Sequence, residues 1–119
     1  MQNNKEDILI RTIDSLYEYP MHVITRKRLN EFIEHKDKTA EPALERWYRR
    51  MKQNDFQNPD ELLQMFSPHN VDQVDGLTVF DIGGRTAVRL IADIHYNRKK
   101  VYIRAVLTHD EYLKGNWKE

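Results

Sequence analysis

The sequence predicts an α+β domain: an antiparallel four-stranded sheet with helices packed on one face, plus an extra N-terminal helix. Three observations predict it. Apolar residues recur at helical spacing through residues 26–66, and from Leu77 onward they alternate instead. Two turn signals, Gly83-Gly84 and the stretch 97–100, divide the last third into three strands that read as a meander. A short β-branched run at residues 21–25 supplies a fourth strand ahead of the helices. One block of helices followed by one block of strands is the pattern of helices laid on a sheet face.

The elements are taken in chain order. In residues 5–17, Leu9, Ile13, Leu16 and Tyr17 form a helical stripe opposite Glu6, Asp7, Arg11 and Asp14, and Pro20 blocks continuation. This helix is either an addition packed on the domain or an extension upstream of a start at Met21, so the chain divides into an extension at 1–20 and a domain at 21–119. Thr25 is placed to cap a helix over 26–37 with Leu29, Phe32 and Ile33 as its apolar stripe. Thr39 is placed to cap a second helix over 40–53, with Pro42 in its first turn and Ala43, Leu44, Trp47, Tyr48 and Met51 facing inward. Asn58-Pro59-Asp60 opens a third helix over 59–66, and 67–76 reads as a loop. Strands are expected at 77–82, 86–96 and 101–107.

Alternation fixes an expected register. Val88, Leu90, Ala92, Ile94 and Tyr96 share one face with Val101, Ile103, Ala105 and Leu107 when Tyr96 opposes Val101. Asp93 then opposes Arg104, His95 opposes Tyr102, and Arg89 opposes Thr108 beside His109. Polar side chains collect on the sheet face away from the helices.

Composition bounds the function. One domain with a single modest core is expected from 119 residues. There is no cysteine, and the five histidines lack ligand-like spacing, so neither a metal nor a cofactor is expected. Charged residues interrupt the first twenty, and no apolar run approaches the roughly 20 residues of a membrane span, so a soluble cytoplasmic protein with no membrane partner is expected. The net charge of zero conceals a local +5 between Arg85 and Arg104, carried by Arg85, Arg89, Arg98, Lys99, Lys100 and Arg104 against Asp93. A local field of that sign suits a polyanion.

Residues 101–112 place Arg104, His109 and Tyr112 on one strand and the helix start just beyond it. RNA cleavage without metal needs a base for the 2′-hydroxyl, positive charge at the phosphorus oxygens and an acid for the leaving oxygen. Arginine's fork suits phosphate, histidine carries protons near neutrality, and tyrosine holds a proton or stacks on a base. Bland readings stand beside these. Spacing alone favours Arg104 as the cross-strand partner of Asp93, His109 as part of a helix start and Tyr112 as a packing aromatic.

A family resemblance changes the weighting. Met21-His22-Val23-Ile24-Thr25-Arg26-Lys27, Ala43-Leu44-Glu45-Arg46-Trp47-Tyr48, Asn58-Pro59-Asp60-Glu61-Leu62 and Val79-Phe80-Asp81-Ile82-Gly83-Gly84 carry it. So do Arg89-Leu90-Ile91, Ile94-His95-Tyr96, Val101-Tyr102-Ile103-Arg104 and Thr108-His109-Asp110-Glu111-Tyr112. In this order the chain resembles the HigB toxins, mRNA interferases of the RelE-like superfamily. The resemblance implies a RelE-like fold and a type II toxin that cleaves mRNA on the ribosome. It implies catalytic roles for Arg89, Arg104, His109 and Tyr112, and contacts to RNA or ribosome from Arg85, Arg98, Lys99 and Lys100. It also implies a HigA-type helix-turn-helix antitoxin, through which alone operator DNA would be bound. The alternative is a non-catalytic RNA- or ribosome-binding module on the same scaffold. The chain departs from the family pattern in three places. Asp81 stands where relatives often have asparagine, the turn from Gly83 to Arg89 is one residue longer, and Leu113 replaces an aspartate.

Overall fold

The computed structural model describes residues 21–118. The helix expected at 5–17 and the extension at 1–20 lie outside the described residues. The described chain runs β1 (His22–Ile24), α1 (Arg26–His35), a 3-10 turn (Lys38–Ala40), α2 (Glu41–Gln53), α3 (Pro59–Phe66), β2 (Val71–Val74), β3 (Leu77–Gly83), β4 (Val88–His95), β5 (Lys100–Leu107), α4 (His109–Lys114) and a final 3-10 turn (Asn116–Lys118).

The three expected helices form where periodicity places them. Leu29 and Phe32 of α1, Leu44, Trp47 and Met51 of α2, and Leu62 of α3 are buried in one core with Phe80, Val88, Leu90, Ala92, Val101 and Ile103 of the sheet. Aromatic edges lock its centre. Trp47 meets Phe80 at 5.4 Å and Phe66 meets Phe80 at 5.1 Å, both T-shaped, and each such pair adds about 0.5–1.5 kcal/mol to the burial itself.

The sheet corrects the four-stranded expectation. It has five strands in the order β1-β5-β4-β3-β2 and is mixed, because β1 runs parallel to β5. The additional strand, β2, lies in the stretch read as a loop. It pairs with β3 through Asp75-Gly76, whose φ values of 52° and 82° are those of a tight hairpin turn. Val-Asp-Gln-Val has too little alternation to read as a strand, and its two exposed central residues show why: it is an edge strand.

The register of β4 on β5 also differs. Asp93 opposes Tyr102, Ile94 opposes Val101 and His95 opposes Lys100, rather than the pairs expected from unbroken alternation. Ala92 then opposes Ile103 and Ile91 opposes Ala105, which leaves Arg104 bulged out. The bulge reverses the facing of the remainder of β5. Val106 turns to the core, while Ala105 and Leu107 share the other face with Ile91 and Arg89. A second irregularity between Asp81 and Gly83 absorbs the extra turn residue, so Arg89 sits opposite Asp81.

Neither threonine caps a long helix. Thr25 takes a left-handed conformation and its hydroxyl continues the sheet edge, donating to Ile103 O at 2.9 Å and accepting from Ile103 N at 3.1 Å. Thr39 lies inside the 3-10 turn that Asp37 caps. Asp37 is buried and joins the α1–α2 connector to the β3–β4 turn. Its carboxylate accepts from Thr39 N at 2.9 Å, from the Thr39 hydroxyl, from Thr86 N at 3.0 Å and from the Thr86 hydroxyl at 2.8 Å. The Thr39 hydroxyl first, then the Thr86 donors, lower its pKa from 3.8 to about 2 against the cost of burial. A depressed carboxylate pKa stabilises the fold above the unfolded value and loses that contribution as pH falls through the folded one. Asp37→Ala is therefore expected to cost about 1–3 kcal/mol at neutral pH in urea unfolding, since it strands buried donors. The deficit is expected to close as pH falls from about 4 towards 2; a deficit independent of pH would contradict it.

Candidate active site

The second face of the sheet, away from the helical core, and the end of β4 and β5 carry the residues of interest. α4 begins there because Thr108 and Glu111 form a capping box: the Thr108 hydroxyl accepts from Glu111 N at 3.2 Å, and Glu111 accepts from Thr108 N at 3.0 Å. Glu111 also accepts from Lys36 at 2.7 Å, and this contact first, then the Thr108 N–H, holds its carboxyl below the usual range. His109 is the first residue of α4, and its N–H, which no helical carbonyl can reach, donates to Thr86 O at 2.9 Å. The ring is partly buried, and its Nδ1 is buried without a hydrogen-bond partner among the described residues.

Arg89 reaches towards this helix. Its Nη1 donates to Asp81 at 2.9 Å and to Ala87 O at 3.2 Å, and its guanidinium lies 5.8 Å from the centre of the Tyr112 ring. Tyr112 also stacks on Trp117 at 5.1 Å, 12° from parallel, and Trp117 Nε1 donates to Tyr112 O at 3.0 Å. Arg89, His109 and Tyr112 are thus brought to one strand end, as the sequence leads one to expect. Trp117 is a member of the group that sequence reasoning misses; an aromatic two residues past Gly115, which ends α4 with φ 78°, is the available signal.

Arg104 belongs to a separate group on the sheet. From the bulge, its Nη1 lies 3.6 Å from Asp93, although the two residues are not opposite each other. His95 approaches the same aspartate at 3.4 Å and meets Tyr102 edge-on at 5.2 Å. The Arg104 side chain is 56% exposed, against 21% for Arg89, so it stays open to solvent while it lies beside Asp93.

The remaining cations are scattered. Arg85 and Arg98 are exposed in the two turns, and Lys100 shares the second face opposite His95. Lys99 instead turns to the helical side, 2.5 Å from Asp55.

Fold and site together define a small α+β protein with a cationic, histidine- and tyrosine-bearing strand end. Comparison with known proteins gives its lineage. Residues 40–115 match the family model described as the RelE-like toxic component of a toxin–antitoxin system. The mRNA interferase toxin HigB of Escherichia coli K12 is 35% identical over 95 residues, covering 77% of this chain and 88% of that relative. The mRNA interferase HigB of Shigella flexneri matches to the same extent, and that of E. coli O6:H1 is 30% identical over 79% of this chain and 90% of its own. The chain belongs to the HigB toxin family.

The Arg104–Asp93 pair is long and half-exposed, so it contributes little to folding. Arg104→Ala is expected to change stability in urea unfolding by less than about 1 kcal/mol. A larger loss would make Arg104 a structural residue.

Proposed function

We propose that this chain is an mRNA endoribonuclease that acts on translating ribosomes in the cytoplasm and so inhibits translation. The observation that carries the reading is the convergence of Arg89, His109 and Tyr112 at the end of β4 and β5, with Arg104 exposed on the same sheet. In the reaction, the 2′-oxygen forms a bond to the adjacent phosphorus as the bond to the 5′-oxygen breaks. A proton leaves the 2′-hydroxyl, another reaches the 5′-oxygen, and the products are a 2′,3′-cyclic phosphate and a 5′-hydroxyl end. His109 carries a proton to or from these oxygens, and Tyr112 assists or orients it. Arg89 and Arg104 hold the phosphorus oxygens, where negative charge accumulates. Phosphate replaces Asp81 and Asp93 as their partner. Arg85, Arg98 and Lys100 grip neighbouring phosphates or ribosomal RNA, and Lys99 joins them once released from Asp55.

The partner that restrains this activity is a HigA-type helix-turn-helix antitoxin. It covers the basic face or blocks entry to the ribosome, and makes the operator contacts of the pair.

The test compares induced wild type with Arg89→Ala, Arg104→Ala and His109→Ala, with mRNA 5′ ends mapped in cells and on purified ribosomes. His109→Ala is expected to slow cleavage about 100- to 10,000-fold, and either arginine variant about 100- to 1,000-fold. Equal toxicity of all four proteins, or ribosome binding by wild type with no new 5′-hydroxyl ends, would remove the assignment.

A further inference from the structure

We propose that Asp37 is a positioning residue for this site, holding the β3–β4 turn so that the turn in turn fixes both His109 and Arg89. The inference rests on the proposed roles of those two residues. Asp37 lies in the connector between α1 and α2, and its hydrogen bonds go to Thr39 and Thr86 rather than to either of them. Its influence passes through two carbonyls. Thr86, held through its N–H and hydroxyl by one Asp37 oxygen, offers its C=O to His109 N at 2.9 Å. Ala87, the next residue, offers its C=O to the Arg89 guanidinium at 3.2 Å.

Three features make this a held geometry rather than an incidental contact. The turn is pinned at a further point, since Arg85 N donates to the Thr39 hydroxyl at 3.0 Å and that hydroxyl is itself bound to Asp37. Connector and turn touch: a Cβ at Gly84 would come 3.1 Å from Ala40 Cβ and 3.3 Å from Asp37 Oδ2, and Gly84 has φ +83°. The residue before Asp37 acts on the same helix start, because Lys36 donates to the capping-box Glu111. The connector therefore meets α4 twice, directly at Glu111 and through Thr86 at His109.

The chemistry requires a carboxylate. One Asp37 oxygen takes the two Thr39 donors and the other takes the two Thr86 donors. An asparagine has a single acceptor oxygen, so it cannot serve the Thr39 and Thr86 donors together, and the link between connector and turn is lost whichever side it keeps. Thr86 tests the same link from its other end. Serine keeps the hydroxyl that reaches Asp37, and valine keeps the shape without it.

The experiment uses purified full-length protein with programmed ribosomes, measuring cleavage rate at saturation and the concentration giving half of it. Hydrogen exchange of the His109 amide is read beside the core amides of Leu90 and Ile103. Asp37→Asn and Thr86→Val are expected to slow saturated cleavage about 10- to 100-fold, as misplacement of a catalytic group does. Half-saturation stays unchanged, the His109 amide exchanges faster while the core amides stay protected, and Thr86→Ser stays within about 2-fold of wild type, retaining positioning. The proposal is overturned if folded Asp37→Asn keeps both the wild-type rate and His109 protection. It is equally overturned if Thr86→Ser fails as badly as Thr86→Val, or if rate falls only in proportion to the unfolded fraction. His109→Ala is run alongside. Should it cleave normally, the reading of the site fails, while amide exchange still decides whether Asp37 holds the backbone at His109.

Discussion

β5 has to serve two neighbours with different demands. On one side β1 pairs with it in parallel at Lys100, Val101 and Tyr102, and on the other β4 runs antiparallel along its whole length. Its core-facing residues are Val101, Ile103 and then Val106, a spacing that two-residue periodicity cannot produce without an extra residue. The bulge at Arg104 supplies it. A bulge sheds one ladder position, bends the strand and frees the extra side chain. Here that side chain is an arginine, aimed outward beside Asp93. Packing of the core and outward exposure of the Arg104 cation are thus one geometric event. The parallel strand ends at the same place, where Thr25 puts a hydroxyl against the Ile103 backbone in lieu of another strand residue.

The same geometry explains how much of the fold is legible in the sequence. Helix positions and inner faces are, because Leu29, Phe32, Leu44, Trp47, Met51 and Leu62 are spaced by a period that packing does not override. The α3 boundaries are, because Asn58 and Pro59 signal a start and Asn58 accepts from Glu61 N as its cap. β2 is not, since its pairing depends on Asp75-Gly76 and on β3 rather than on its own alternation. The β5 register is not, because alternation shows which residues could face the core and never where a residue has been set aside. The parallel pairing of β1 is equally hidden: its partner lies in the last strand, and no local pattern records that. In the site, Arg89, His109 and Tyr112 are legible through the resemblance, and their convergence through the strand–helix junction. Asp37 is not, because a carboxylate at the end of a helical run is usually solvated, and only folding brings Thr86 to it.

Three of the candidate cations are already engaged, two on the second sheet face and Lys99 on the helical side. Arg89 is bound to Asp81, Arg104 to Asp93 and Lys99 to Asp55. Such partly exposed pairs are worth at most about 1 kcal/mol, less in salt, so a phosphate that enters with its own charge competes on even terms. The pairs do something else while they last. They hold planar guanidiniums in place against the rotamer freedom that an arginine on an open sheet would keep. Asp81 makes the point most sharply, because the resemblance places an asparagine there in many relatives. An amide could accept the same hydrogen bond from Arg89 without cancelling its charge. With aspartate, Arg89 is oriented and its charge is also compensated. In the proposed function the long-range pull on RNA falls to Arg85 and Arg98, exposed in turns, and to Lys100 at the start of β5. On that proposal, long-range attraction and local orientation fall to different residues of a chain whose net charge is zero.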